Sequence, residues 1–183
     1  MIVLNVGGGA SRQLPPQYDG WEQRLLDIDP EVKPDVCIDA RELITLPSQN
    51  YDAVYCSHNL EHYSQFDAQI VLDGFMHVLK PGGKVEINVP NLANLMRSML
   101  ASNLDLNDVW YRTGQGAPIT FHDVLYGWGE ALRNGNPYYA HKCGFTPLSL
   151  HKALIGAGFV DVQITDQGSN IQGIATCQSQ LST

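Results

Sequence analysis

The chain has 183 residues, of which 44% are hydrophobic and 16% charged, so it can form one domain, residues 1–183, with a sizeable apolar core. Nineteen acidic against eleven basic side chains give a net charge of -8, which makes nucleic acid an unlikely partner because a polyphosphate would be repelled. No apolar run approaches the roughly 20 residues of a membrane span, and Met1 leads directly into an apolar strand pattern without a signal peptide, so we expect a cytoplasmic protein with no membrane contact.

Short apolar runs separated by loops and helical patterns recur along the chain, and this alternation predicts an α/β sheet. The first and fourth runs are short and mainly apolar, as central parallel strands tend to be. The predicted strands are Ile2 to Val6, Arg24 to Ile28, Val36 to Ile38, Ala53 to Cys56 and Lys84 to Val89.

Three helices are predicted from capping residues. Ser64 has capping-box spacing with Asp67 and begins a helix that Lys80-Pro81-Gly82-Gly83 should end. Asn91 caps a second helix. Thr146-Pro147 begins a third, because proline favours the first helical position, and this helix should end at Gly158.

The last predicted element is a C-terminal antiparallel hairpin. Val160, Val162 and Ile164 alternate with polar residues, a turn follows at Gly168, and a second strand pattern covers Ile171 to Cys177. We expect this hairpin at one edge of the sheet.

Residues 103–142 are rich in aromatic side chains, with seven of the sixteen in the chain. This segment is either a small helical insertion with its own packing cluster or a cap over a substrate pocket, and the two readings are compatible. The candidates for contacting a substrate are Trp110, Tyr111, His122, Tyr138, Tyr139 and His141.

A glycine turn, Gly7-Gly8-Gly9, directly follows the first strand, where the backbone can turn sharply and approach a ligand. Asp27 ends the next strand twenty positions after Gly7, where a carboxylate can accept hydrogen bonds from two ribose hydroxyls. Asp39, after the third strand, could meet an adenine amino group. The sequence thus favours a nucleoside ligand at these strand ends.

A dinucleotide is the competing ligand, but the G-x-G-x-x-G pattern fails at Arg12. Pro15-Pro16 also argues against a long helix there, and without that helix N-terminus a pyrophosphate loses its main anchor. A nicotinamide oxidoreductase is therefore less favoured than a protein that binds ribose and adenine without phosphate.

Six motifs in this order give the chain a resemblance to the class I S-adenosylmethionine-dependent methyltransferases, of the short bacterial type. They are Leu4 to Gly9, Leu26 to Pro30, Ile38 to Ala40 with Leu46-Pro47, Tyr51 to His62, Leu79 to Gly83, and Gly144 to Pro147 with Ala157 to Phe159. The resemblance implies a doubly wound, Rossmann-like, mostly parallel seven-stranded sheet, with S-adenosylmethionine across the carboxyl ends of its first strands. The cofactor-binding residues it implies are Asn5, Gly7, Gly8, Gly9, Asp27, Asp29, Asp39, Ala40, Ser57 and His58.

The chain departs from the family pattern at two places. Asn5 stands where many members have an acid, so it offers less to the positive charges of the cofactor. The connections 10–23 and 29–35 are too short for full crossover helices, so one sheet face should be thinly covered. We expect a homodimer partner on that face, because exposed apolar sheet is costly.

His58-Asn59-Leu60-Glu61-His62 also spells H-x-x-E-H, a zinc-binding pattern of one peptidase class. That pattern requires both histidines on one face of a helix and a third ligand elsewhere in the chain. Strand, turn and short helix explain the segment better, so no metal is expected.

The sequence thus predicts an enzyme that moves a methyl group from S-adenosylmethionine to a small-molecule or carbohydrate-like acceptor. His58 is the candidate general base, because an imidazole can accept a proton near neutral pH. The alternative is a non-catalytic S-adenosylmethionine-binding or protein-interaction module of the same fold.

Overall fold

The structure, a computed structural model, describes residues 1–114 and 116–178. A seven-stranded sheet forms its centre, in the order β3-β2-β1-β4-β5-β9-β8. Its strands are β1 Ile2–Val6, β2 Glu22–Asp27, β3 Val36–Cys37, β4 Tyr51–Ser57, β5 Leu79–Pro90, β8 Val160–Asp166 and β9 Asn170–Thr176. Neighbours from β3 to β5 are parallel, and β9 runs antiparallel to both β5 and β8.

All five predicted strands and the terminal hairpin are confirmed, and the central position of β1 and β4 is that expected from their apolar sequences. One prediction about a boundary is wrong. Lys80-Pro81-Gly82-Gly83 does end the preceding helix, but these residues belong to β5, which begins at Leu79. The strand tolerates them because the Gly82 amide donates to the carbonyl of Cys177, and the Cys177 amide donates to the carbonyl of Gly83, directly after the neighbouring β9.

Five α-helices accompany the sheet: α1 Gln65–Val78, α2 Leu92–Ser102, α3 Phe121–Tyr126, α4 Gly129–Arg133 and α5 Pro147–Gly156. The predicted caps are present, since Ser64, Asn91 and Thr146 each accept a backbone hydrogen bond at the start of α1, α2 and α5. Helix α5 ends at Gly156, two residues before the predicted end. Gly158 adopts a φ of 91°, a left-handed conformation that glycine reaches without a Cβ clash.

The two faces of the sheet are covered unequally. Helices α1 and α5 and a 3-10 helix at Ala40–Thr45 pack on one face, where Phe75, Leu150 and Leu43 are fully buried. The opposite face carries a smaller cluster around Tyr18. The early crossovers hold only 3-10 helices, at Pro16–Tyr18 and Pro30–Val32, as their length predicts.

The segment 103–142 is not purely helical, which corrects the predicted insertion. A two-stranded antiparallel sheet, β6 Val109–Arg112 and β7 Pro118–Thr120, precedes α3 and α4. Its own cluster forms around Phe121, Val124 and Leu95 of α2. Part of this segment therefore forms its own packing cluster, as one of the two interpretations of the aromatic residues proposed.

Across the residues that the structure describes, no helix has the length and apolar character needed to cross a membrane.

Candidate functional site

A cavity of about 360 Å³ opens at the carboxyl ends of β1, β2 and β4. A cavity of this size suits a small organic ligand. It is lined from the strand ends and from the end of the insertion by Gly7, Gly9, Asp27, Ile28, Asp29, Val32, Asp39, Arg41, His58, Asn59, His62, Tyr63, Asp67, Asn136, Tyr138, Tyr139 and Lys142.

The glycine turn forms the floor of the cavity next to β1. Gly7 has a φ of 69°, and a Cβ there would lie 2.2 Å from Nδ2 of Asn59, so only glycine fits. Gly9 has a φ of 56°, and a Cβ there would meet no atom within 4 Å. The backbone at Gly9 is therefore open to a ligand.

Asp27 lies at the end of β2, and its carboxylate is oriented by the backbone. Its Oδ2 accepts a hydrogen bond from the Gly9 amide at 3.1 Å, and its Oδ1 accepts one from the Asp29 amide at 3.0 Å. A carboxylate oxygen has two lone pairs, so each still has capacity for a further donor. Asp27 can accept hydrogen bonds from a diol bound in the cavity.

The side-chain amides of Asn5 and Asn59 lie beneath the glycine turn. Asn5 is 1% exposed, and a Cβ at Gly8 would lie 2.4 Å from its Nδ2. Among the described residues, Nδ2 of Asn5 and Oδ1 of Asn59 have no hydrogen-bond partner. Buried polar atoms normally have partners. Both atoms are buried, and of the two residues only Asn59 lines the cavity.

Asp39 lines the cavity, but its carboxylate is already engaged by Arg41. Oδ2 accepts from Nε and Nη2 of Arg41 at 3.1 and 2.7 Å, and Oδ1 accepts from the Arg41 amide at 2.9 Å. Burial works against ionisation of Asp39, yet these bonds hold its pKa below the ordinary value. The pair presents both charges to a ligand, rather than the lone acceptor that the sequence predicts.

His58 follows β4 with a φ of 50°, and its backbone amide donates to the carbonyl of Asn88 in β5. The side chain is 47% exposed and lines the cavity, and its Nδ1 lies 3.3 Å from Oε1 of the buried Glu61. Burial lowers the pKa of His58, but the Glu61 carboxylate more than compensates, so the net pKa is raised.

The pKa of Glu61 itself is lowered, because three histidines offset the cost of burying its charge. His58, His62 and His141 all contribute to this effect. For His141 burial has the larger effect and lowers the pKa despite Glu61. A carboxylate in the ionised form thus lies behind the cavity wall.

The insertion contributes the opposite wall through Asn136, Tyr138, Tyr139 and Lys142. The ring of Tyr139 lies 5.8 Å from that of Trp128 and 6.4 Å from that of His62, both edge-on. The backbone amide of Lys142 donates to the Glu61 carbonyl at 2.8 Å, which attaches this wall to the turn after β4.

Other predicted substrate residues lie elsewhere. Trp110 and Tyr111 pack in the insertion's cluster, where Trp110 stacks on Phe121 with ring centroids 5.6 Å apart. His122 is exposed beside Tyr126, and His141 lies behind the wall near Glu61. None of these four lines the cavity.

Of the ten predicted cofactor residues, the cavity is lined by Gly7, Gly9, Asp27, Asp29, Asp39 and His58. The other four lie one layer deeper or beside it, namely Asn5, Gly8, Ala40 and Ser57.

Sequence reasoning missed several lining residues, chiefly Asn59, Arg41 and Lys142. Asn59 could have been found, because it directly follows His58 after a buried strand. Lys142 gives no such signal, since only the tertiary path of the insertion brings it to the cavity.

Comparison with known proteins connects this geometry to a family. Residues 4–87 match the family model described as a methyltransferase domain. No curated protein matches the chain at a significant level.

Solved structures share the fold at low sequence identity. A methyltransferase dependent on S-adenosylmethionine from Archaeoglobus fulgidus is 18% identical with a TM-score of 0.61, and the match covers 96% of this chain and 85% of that one. One from Thermotoga maritima is 13% identical with a TM-score of 0.61, covering 96% and 81%. Human N-acetylserotonin methyltransferase, in complex with S-adenosylmethionine, is 19% identical with a TM-score of 0.59, covering 97% of this chain and 48% of that one.

The matched region contains the end of β1, all of β2 to β4 and most of β5, and therefore every cavity residue that the strand ends supply. The family model, the sheet order and the six ordered sequence motifs agree with one another. Over residues 4–87 the chain therefore matches the methyltransferase-domain model, and its fold is that of the S-adenosylmethionine-dependent methyltransferases to which it is similar.

Proposed function

We propose that the enzyme transfers the methyl group of S-adenosylmethionine to a small-molecule or carbohydrate-like acceptor held against the wall that the insertion supplies. The observation that carries this proposal is the position of Tyr138 and Tyr139 in the same cavity as Gly9 and Asp27. Aromatic rings give large contact area with few rotatable bonds, and they suit sugar faces and flat molecules alike.

The cavity residues fit the cofactor. Asp27 has free acceptor capacity for ribose hydroxyls, and the open space at Gly9 allows close approach of a ligand to the backbone. Asn59 lines the cavity beside Gly7, and its side-chain amide suits the polar groups of the methionine part, directly or through water. When bound, the cofactor supplies an electrophilic methyl group on a sulfonium sulfur.

The chain's main catalytic task is then alignment of the acceptor. Orientation of two reactants can lower a barrier by roughly 7–11 kcal/mol in favourable cases. Tyr138, Tyr139 and Asn136 are placed to hold the acceptor, and the paired charges of Arg41 and Asp39 limit how it can lie.

His58 is the group placed to accept a proton from an acceptor hydroxyl or amine. Its ring is half exposed in the cavity, and Oε1 of Glu61 lies 3.3 Å from Nδ1 behind it. Within the described residues Nε2 makes no hydrogen bond, so it is available to the acceptor. A His58→Ala variant that keeps cofactor binding and full turnover would exclude this role.

The first experiment is calorimetric titration of S-adenosylmethionine and its demethylated product into the purified chain. We expect micromolar binding that Asp27→Ala abolishes and that Glu42→Ala, at an exposed acid outside the cavity, leaves unchanged. Undiminished binding by Asp27→Ala would contradict the assigned cofactor site. Acceptors are then screened by release of the demethylated product, with sugars and small phenols as the first two panels.

We also infer that a homodimer covers the thin face of the sheet. Trp21 and Tyr55 lie only partly buried there beside the small cluster around Tyr18. We expect sedimentation velocity to show a dimer that Trp21→Glu dissociates, whereas Leu148→Glu on the opposite side, at an exposed position of α5, does not. A strict monomer at working concentration would contradict this inference.

A further inference from the structure

A fully buried carboxylate lies behind the cavity wall with three histidines around it. The side chain of Glu61 is 1% exposed, and among the described residues neither of its oxygens accepts a hydrogen bond. Nδ1 of His58 lies 3.3 Å from Oε1 without hydrogen-bond geometry, and Nε2 of His141 lies 4.0 Å from it. An ionised carboxylate in such a place is stable only beside a positive charge.

His62 is held between two carbonyl oxygens. Its Nδ1 lies 3.1 Å from the carbonyl oxygen of Ala140, and its Nε2 lies 3.1 Å from that of His58. A singly protonated ring can donate to one of them only, so the other nitrogen and oxygen would face each other with lone pairs. A metal ion at one of these two contacts would remove that conflict.

The separation at Nε2 suits two ligands of one metal ion. Two donor atoms about 2.0–2.1 Å from a tetrahedral zinc ion lie about 3.3 Å from each other. The 3.1 Å between Nε2 of His62 and the carbonyl oxygen of His58 is close to that value. The Nδ1 contact with Ala140 is then the outer hydrogen bond that usually orients a metal-binding histidine.

His141 is oriented in the same way. Its Nδ1 lies 2.9 Å from the carbonyl oxygen of Val124, which makes it the donor and leaves the lone pair of Nε2 toward Glu61. The rings of His62 and His141 are 5.0 Å apart, and one ligand atom from each of Glu61, His62 and His141 lies within 4.8 Å of the others.

We propose that Glu61, His62 and His141 bind one divalent cation of the zinc type, with the carbonyl oxygen of His58 as a fourth ligand. One carboxylate and two imidazoles are ligands that zinc accepts readily. Two of these ligands, Glu61 and His62, belong to the H-x-x-E-H pattern in the sequence, which does not indicate a third. The third ligand is His141, which the insertion brings back to the turn after β4. The cation joins these two segments behind the cavity, in a structural role, because protein atoms take all four positions.

The test uses the untagged full chain, so that no added histidines bind metal. The chain is stripped with a chelator, dialysed against zinc, and analysed for bound metal by atomic emission. We expect one zinc per chain, and a cobalt-loaded sample with the intense visible absorption of tetrahedral coordination.

Matched variants decide where the ion lies. His141→Gln should weaken zinc affinity, measured against a chromophoric chelator, by more than the roughly 10–100-fold that loss of an outer hydrogen bond costs. Glu61→Gln should do the same, and His151→Gln, at an exposed histidine on α5, should bind zinc as the original chain does. Zinc should raise the melting temperature of the original chain but not that of His141→Gln.

Two results would overturn the proposal. One is a chain that retains no zinc at micromolar concentrations. The other is His141→Gln binding zinc as tightly as the original chain, which would place the ion elsewhere. Because Glu61 is buried, its variant is interpreted only if circular dichroism shows a folded protein. If that variant is unfolded, the zinc affinity of His141→Gln alone decides the question. Metal content requires no turnover, so this outcome is independent of the proposed acceptor.

Discussion

The two walls of the cavity are built on different principles. The wall at the strand ends consists of backbone turns fixed by the sheet, as at Gly7 and Asp27. The wall from the insertion rests on a separate apolar cluster around Phe121, and it meets the core at α2 and at the turn after β4. The first wall suits a ligand that does not vary, and the second can change shape without disturbing the sheet.

Phe121→Ala should have the largest effect among the changes that act on one wall of the cavity more than on the other. Phe121 is fully buried, and Phe→Ala changes in cores cost about 3–5 kcal/mol. We expect faster proteolysis within residues 103–142, while affinity for S-adenosylmethionine falls less than in the glycine variant below. Phe66→Ala, at a side chain 82% exposed, is the control and should change neither measurement.

The second prediction concerns the strand-end wall. Gly7→Ala places a Cβ 2.2 Å from Asn59 at a left-handed φ, so we expect at least about a 100-fold loss of cofactor affinity by calorimetry, about 2.7 kcal/mol. Gly20→Ala imposes a similar φ of 79° with no atom within 4 Å of the new Cβ. It should cost stability of about 1–2 kcal/mol and leave cofactor affinity unchanged. Equal affinities in the two variants would show that the turn at Gly7 does not shape the site.

A third, smaller effect is expected at Tyr139. Tyr139→Ala removes a ring that packs between Trp128 and His62, and an aromatic contact is worth about 0.5–1.5 kcal/mol. We expect kcat/KM for the acceptor to fall roughly 2–10-fold with cofactor affinity retained. Tyr126→Ala, at an exposed ring of the insertion outside the cavity, serves as the control. Loss of cofactor affinity instead would mean that the two walls are not separable.

The smallest expected effect is a pH dependence of the insertion. The Asp123 carboxylate accepts from the amide and hydroxyl of Thr120 and from the Gly129 amide, and these bonds lower its pKa although burial opposes them. Its stabilising contribution is therefore full above the ordinary value near about 4 and is lost as pH falls through the lowered pKa.

Proteolysis of the insertion followed from pH 7 downward checks this prediction. The original chain should become more susceptible below about pH 4 than it is at neutral pH, whereas Asp123→Asn should show a smaller change. An equal acid response in both proteins would exclude Asp123 as a source of the effect.

The same contrast explains what the sequence could predict. The strand-end wall could be predicted from local signals in the sequence. A strand, a glycine turn and an acid at the end of the next strand follow one another along the chain, as at Gly7 and Asp27. The family resemblance, confirmed by the comparisons, supplied the sheet order that such signals alone do not give.

The insertion shows the limit of sequence reasoning. The sequence presents its seven aromatic residues as one group. In the structure, however, Trp110 and Tyr111 pack in the insertion's own cluster, while Tyr138 and Tyr139 line the cavity. Periodicity gives no basis for separating them, because the segment is made of elements of three to six residues whose orientation depends on tertiary contacts. The ion pair of Arg41 with Asp39 was missed too, although the two residues are only two positions apart.

The placement of β9 between β5 and β8 has a consequence for how the chain folds. The edge of β5 must stay unpaired until residues 170–176 have been synthesised, and the hairpin of β8 and β9 can form locally before it docks. A nascent chain that has already formed β1 to β5 therefore exposes a long unpaired strand edge, which is a site of misassociation. Mutations at Gly168 that slow formation of the turn between β8 and β9 should accordingly reduce the yield of soluble protein more than they reduce the stability of the folded protein.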